Sequence, residues 1–440
     1  MSLYQLERER DIEELVETLR RSDDVAIRRR TAEVIGGLFE NDDIDESELR
    51  LGGEDTDELL GGAGGDDDGP ETVIDVLLRT VSGDDSEAVR AAAIDALDQH
   101  GQESLERVVD ELSDEDLQSA ADWVTAKAFA RVLDDDQPEL RMAAATGLGR
   151  VGDPSVTAAL VERLSDPDKR VRERSAVACG RIGDPRAVKA LRSLLDEDPG
   201  IDVRAAAAAA LGEIGTEAAL EVLLAATDDE SESVRRVIAD ALGKFGSVEP
   251  MDALVGYLAD GSETVRRTAI FSVVEILSNA PAQQSHDVRE AAADQLEAAT
   301  ADEVIPPLSE ILTESSGAPQ RRNAAWLLGR VAGAEYGSMA RGSLIEALGD
   351  DDGMTAQFAA TSLTALDDPE LETELLELVR DAEADTEARS KALFVLGKVG
   401  GDAAREELGE FVDRTDDESL RESAFSALSK LGGLGGGGGP

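Results

Sequence analysis

The side chains that could do chemistry in this sequence are few and scattered. His100 and His286 lie far apart, and neither has a second histidine at helical spacing. Cys179 is the only cysteine, so no internal disulfide forms, and it occupies the place that Leu148, Leu211 and Leu242 fill in sister segments. It reads as a small core residue rather than a nucleophile. No H-x-x-x-H, paired C-x-x-C, G-x-S-x-G or G-K-[ST] phrase occurs. Acid–base or nucleophilic catalysis needs groups held together and shielded. The sequence therefore assigns no catalytic residue, metal site or cofactor. Asp42, Asp43, Asp45, Asp66, Asp67 and Asp68 offer oxygen ligands but lack the loop spacing with a terminal Glu that calcium requires, so a solvated loop is preferred.

Charge is arranged more deliberately. From Arg163 to Arg192 nine basic residues stand against four acids, in a chain whose net charge is −53. Arg186, Lys189 and Arg192 step by three and share one helical side, while Val188, Leu191 and Leu195 take the other. With Arg163 they form a candidate docking point for an acidic protein partner. Local compensation of the surrounding acid accounts for them equally well. Nucleic acid is disfavoured, since the chain repels it and no aromatic residue lies in the stretch for stacking. An arginine recurs at Arg141, Arg172, Arg204 and Arg235 and a turn aspartate at Asp153 and Asp184, which predicts a structural ladder of Arg-to-carboxylate contacts between repeats. Phe271, Trp326 and Phe394 each follow such an anchor by five residues, and packing beneath an inserted segment is the simplest account of them.

The elements that position these residues repeat. Leu140-Arg141, Leu148-Gly149 and Val151-Gly152-Asp153-Pro154 return 31 residues later as Val171-Arg172, Cys179-Gly180 and Ile182-Gly183-Asp184-Pro185. Leu140, Ala144, Leu148 and Val151 fall on one helical face. Gly152 ends that leading helix, and Pro154 suits the first turn of a trailing helix carrying Val156, Ala159, Leu160 and Leu164 inward. A hairpin so short cannot bury its own stripe, so neighbours must stack into one continuous core.

The phrase resembles the HEAT repeat, in particular the short form of phycobilisome-lyase-like proteins, of a kind found in halophilic archaea. The resemblance implies an all-α fold, an α-α superhelix (HEAT/armadillo-like solenoid) of about eleven hairpins. It also implies a concave face lined by trailing helices, which is where the Arg186 patch would lie. Some HEAT-like enzymes, the deoxyhypusine hydroxylases, hold iron on His-Glu pairs. Here Gly101 follows His100 and Asp287 follows His286, and no bilin site of the lyase kind is identifiable. The expected function is a non-enzymatic scaffold or adaptor for protein partners in a signalling or regulatory assembly, taxis and motility among them. A bilin- or cofactor-lyase and an assembly chaperone are the alternatives.

Anchor arginines at Arg141, Arg172, Arg204, Arg235 and Arg266 mark a regular block, which divides the 440 residues. The expected order is 1–39, a capping helix from Tyr4 to Arg21 and a first repeat helix; 40–69, an acidic glycine-rich disordered insertion; 70–136, irregular repeats with an extra helix near Glu115 to Leu133; and 137–278, regular repeats. Then come 279–317, with an added helix from Ser285 to Ala299; 318–431, further repeats; and 432–440, a mobile glycine tail. No run of about 18 apolar residues occurs, and Met1 to Glu14 is too acidic for a signal peptide, so a cytoplasmic protein without membrane insertion is expected.

With 96 acidic against 43 basic residues, and few lysines, the composition fits a protein kept soluble in multimolar salt. There the Debye length falls to about 3 Å, so self-repulsion is tolerable. Dilution below roughly 1 M salt is expected to reduce the helical circular dichroism. An unchanged spectrum at low salt would refute the salt-tolerance reading.

Overall fold

The computed structural model describes residues 3–40, 72–112, 122–280, 285–296, 301–332 and 337–432, and its regular elements are helices. The bulk of the expected acidic insertion, with its six aspartates, and the tail past Gly432 lie outside the described residues. Packing divides the chain into two compact units, Met1–Val222 and Leu223–Pro440.

Local chemistry writes each hairpin. Asp168 opens the helix Lys169–Ile182, its carboxylate accepting from Arg170 N at 2.8 Å. Gly183 ends it in the left-handed region, φ 71°, where a Cβ would clash. Asp184 then caps the short turn Pro185–Ala187, which leads into the trailing helix Val188–Glu197. The helix Pro138–Val151, Gly152 at φ 70°, the turn Pro154–Val156 and the helix Thr157–Arg163 repeat the series. Val171, Ala176 and Cys179 on the leading helix and Leu191 and Leu195 on the trailing one are buried, as the spacing predicts.

Successive leading helices pack against one another far more closely than trailing helices do. The contact is backbone to backbone. A Cβ built on Gly180 would stand 2.7 Å from the Cα of Ala210, and one on Gly149 would stand 2.9 Å from that of Ala178. In the Leu223–Pro440 unit, Gly329 meets Ser362 and Gly397 meets Ala427 in the same way. A stack curves toward its tighter layer, so the leading helices form the inner layer of each unit. This corrects the expectation that trailing helices line the concave side.

Three further expectations meet the structure. The N-terminal helix is two, Leu3–Glu9 and Ile12–Arg21, broken at Arg10 because Asp11 caps the second by accepting from Glu14 N at 3.1 Å. Ile12, Leu15, Val16 and Leu19 are buried as foreseen. Helices Asp122–Val132 and Ser285–Leu296 occupy the two expected insertions, and Ala301–Glu314 adds a helix that the sequence reading did not separate.

Gly180→Leu should therefore force the leading helices apart and cost about 1–3 kcal/mol or more. Gly256→Ala, whose Cβ would meet nothing within 4 Å, should leave the melting temperature level or slightly raised. Thermal melts of the two variants check the difference.

Candidate functional site

The ladder of arginines exists, but its carboxylates differ from those expected. Arg141 forms a fork to Asp166, Nε and Nη2 donating at 2.8 Å each, and Arg172 does the same to Asp198 at 2.6 and 3.1 Å. Arg235 grips Asp260 at 2.7 and 3.0 Å, Arg321 grips Asp350 at 2.7 and 2.9 Å, and Arg28 grips Asp84 across the insertion at 2.8 and 3.0 Å. These aspartates sit in the turns that follow trailing helices. Each also accepts the backbone N–H two residues on, as Asp198 does from Gly200 at 2.8 Å. The remaining nitrogen of each guanidinium takes the preceding turn: Arg172 Nη1 donates to the Asp166 carbonyl at 2.9 Å, and Arg204 Nη1 to that of Asp198 at 2.9 Å. One arginine thus ties two turns together.

Asp153 and Asp184 are not rungs of this ladder. Their carboxylates accept from Ser155 N and Arg186 N two residues on, which fixes them at the turn inside a hairpin. The Arg186 guanidinium holds the Asp184 carboxyl well below the usual carboxylate range. On Asp260 the Arg235 hydrogen bond acts in the same direction. At Asp198 burial pushes the carboxyl up, and the Arg172 fork with the Gly200 N–H more than offsets it.

The basic stretch is largely neutralised. Arg163 turns to the Leu133 carbonyl at 3.2 Å and to Asp134 at 3.5 Å. Arg186 bonds Asp184 at 2.7 Å and Arg192 meets Asp196 at 3.4 Å. Arg170, Arg174 and Arg181 pair with Asp168, Asp95 and Asp98. Lys189 alone of the four candidate docking residues has no acidic partner among the described residues. The helix Val188–Glu197 moreover lies in the outer layer. The stretch behaves as local compensation.

The other reactive side chains are also accounted for. The His100 ring bonds Ser104 Oγ at 2.6 Å and stands edge-on to Phe39, while the His286 side chain lies outside the described ones. Burial pushes the Cys179 thiol up to about 12. Among the described residues no group of three or more His, Cys, Asp or Glu is gathered to hold a metal, and no helix is long and apolar enough to cross a membrane.

What the sequence reading missed is the solvent side of the leading helices. On each, the positions one, two, five and nine after the anchor form a single stripe. In the Met1–Val222 unit that stripe is closed: Arg174 reaches Asp95, and Arg150 and Arg181 both reach Asp98, across an intervening or adjacent repeat. Thr146 beneath is buried. In the Leu223–Pro440 unit the stripe carries Phe271, Trp326, Phe358 and Phe394 instead. Phe271 is 38% exposed, so it does not pack beneath the insertion as expected. Arg267 lies 5.8 Å over Phe271, Arg330 5.9 Å over Trp326 and Lys430 5.0 Å over Phe394.

A family model described as HEAT repeats matches residues 125–211, 193–275 and 342–429. A HEAT repeat-containing taxis protein of Halobacterium salinarum is 43% identical over 464 aligned residues, which span 98% of this chain and 99% of the relative. The chain belongs to the HEAT-repeat family. Among solved structures, one of Kap95p binding with RanGDP is similar at 12% identity and TM-score 0.42, covering 97% of this chain and 63% of that one, under two thirds of its length. The CpcE–CpcF complex of phycocyanin lyase from Nostoc is similar at 17% identity and TM-score 0.34, covering 72% and 97%. As a HEAT protein the chain is an all-α superhelical repeat scaffold.

The HEAT ladder makes a sharp stability prediction. The Asp166 side chain is 1% exposed and that of Arg141 9%. Arg141→Met should strand a buried charge and cost about 3–5 kcal/mol, whereas the double variant Arg141→Met/Asp166→Leu should regain most of it. Denaturant unfolding of the two, at fixed salt, provides the measurement.

Proposed function

We propose that this HEAT protein is a non-enzymatic adaptor that holds protein partners on its inner, leading-helix surface within a signalling or regulatory assembly. The observation that carries this reading is the stripe in the Leu223–Pro440 unit, where Phe271 is exposed, Trp326, Phe358 and Phe394 are partly exposed, and cations lie over three of these rings. Partly exposed aromatic and arginine side chains are the residue types that anchor protein interfaces. They are costly to leave open unless something covers them. The relative from Halobacterium salinarum is named a taxis protein, which makes a taxis or motility assembly the first setting to test. Cys179 is buried with its thiol pushed up to about 12, and the His100 ring is engaged by Ser104.

Affinity capture with the full chain, from the native host at multimolar salt, should return the same stoichiometric set of proteins in independent preparations. Purified protein that instead carries a coloured or tightly bound small molecule, with no recurring protein set, would overturn the adaptor reading in favour of a lyase.

A further inference from the structure

The distribution of cations in the Leu223–Pro440 unit is far from even. That unit holds 42 Asp and Glu against 18 Arg and Lys. Its six leading helices, anchored at Arg235, Arg266, Arg321, Ala356, Arg389 and Arg421, offer four stripe positions each. Eight of those positions are basic and only three acidic, so the stripe reverses the charge of the body that bears it. The lysines make the same point. Of seven in the chain, Lys244, Lys391, Lys398 and Lys430 sit on this stripe.

Several of these cations have no carboxylate to answer them among the described residues. Arg236, Lys398 and Lys430 have none, although acids outnumber bases around them. Arg289, which lies beside the stripe on the helix Ser285–Leu296, is the most telling. Its Nε donates to Asn323 Oδ1 at 2.7 Å and its guanidinium lies 5.7 Å from the Phe358 ring, with Arg322 as its charged neighbour. Burial and that like charge both lower its pKa, the mark of a cation placed where an anion is wanting. Side chains tie the stripe into one surface. Lys391 Nζ reaches Gln357 Oε1 at 3.1 Å, Ser390 meets Ser423 at 3.0 Å, and Lys430 crosses to Phe394 over a cleft of about 380 Å³.

We propose that this stripe docks an acidic, apolar-studded segment of a partner protein, its side chains seated on Phe271, Trp326, Phe358 and Phe394 and its carboxylates held by Arg289, Lys398 and Lys430. The proposal rests on the adaptor reading and deepens it by naming surface and partner chemistry. In multimolar salt a Debye length of about 3 Å removes long-range steering, so recognition falls to contact: carboxylate hydrogen bonds and ring burial, both of which survive screening. That favours a surface with rings beside cations over cations alone. A nucleic-acid strand would also stack on rings, but its phosphates would face the acid of the surrounding unit at every repeat.

The test uses the full chain immobilised at about 2 M potassium chloride. The probes are a randomised pool of peptides of Glu, Asp, Leu, Phe, Ala and Gly, the matching pool with Lys and Arg for the acids, and single-stranded oligothymidylate. The acidic pool should be retained roughly ten-fold more than either other probe. Lys398→Glu/Lys430→Glu, both at exposed positions, should lower that retention at least about ten-fold at unchanged melting temperature, and adding Arg289→Gln should lower it further. Lys189→Glu, on the outer layer, should leave it unchanged. Equal retention by the reversed variants, or preference for the basic pool or the oligonucleotide, overturns the proposal. If the reversed variants still capture the host protein set, the adaptor stands and this surface falls; if the unaltered chain captures none, the adaptor reading falls as well.

Discussion

The fork from each anchor arginine is the interaction on which the stack depends. Arg172 satisfies the Asp198 carboxylate with two nitrogens and the Asp166 carbonyl with a third. Both groups belong to turns, where backbone would otherwise be left to water, and both lie where the chain passes from one hairpin to the next. Forked, charge-assisted bonds of this kind are directional as well as strong. They fix the angle between successive hairpins, whereas apolar packing alone would allow it to slide. The leading-helix glycines then fix the distance, since Gly180 against Ala210 leaves no room for any side chain.

The two units use the same leading-helix surface in opposite ways. In the first, Asp95 and Asp98 draw in Arg150, Arg174 and Arg181, and the surface is closed by the protein's own charges. Burial against the neighbouring helices pushes the Asp95 carboxyl up, and the Arg174 charge acts against it. In the second unit one such acid, Asp240, stands five residues after Arg235 and pairs with Lys244, and at Phe271, Trp326 and Phe394 that position is a ring. Cations lie over those rings. A single repeat plan therefore yields one surface closed by ion pairs and one that adds rings to its ion pairs and leaves Arg236, Lys398 and Lys430 without a carboxylate among the described residues.

Much of this was legible in the residues, and the misses have physical causes. Hairpin order, the stop at Gly152 and Gly183, the burial of Cys179 and the need for an arginine ladder all follow from short-range spacing, which sequence displays directly. The ladder's acids were misassigned because Asp153 and Asp184 are the conspicuous turn aspartates, whereas Asp84, Asp135, Asp166, Asp198, Asp229 and Asp260 each precede an anchor arginine by six residues, a spacing visible once the partner is known. The pairing within the basic patch is hidden from the sequence for another reason. Whether Arg186 or Arg192 is free depends on neighbours such as Asp184 and Asp196 and on which layer is inner, and the layer is decided by backbone contact at Gly149 and Gly180 rather than by charge. The aromatics at Phe271, Trp326 and Phe394 were noticed by their register, but exposure could be judged only once the leading helices were known to face inward.

The ladder also lapses in one place. Ala356 replaces the anchor arginine, Arg389 turns to the Val379 carbonyl, and Arg421 to that of Thr415, so the last leading helices lack the fork to a carboxylate that holds the others. Phe425 on the helix Glu418–Lys430 is half exposed. In a structure whose cohesion passes mainly between neighbours, opening starts where the ties are weakest and travels inward. This chain is thus built to fray from its C-terminal hairpins, like a zip left unfastened at one end, while its regular middle stays shut.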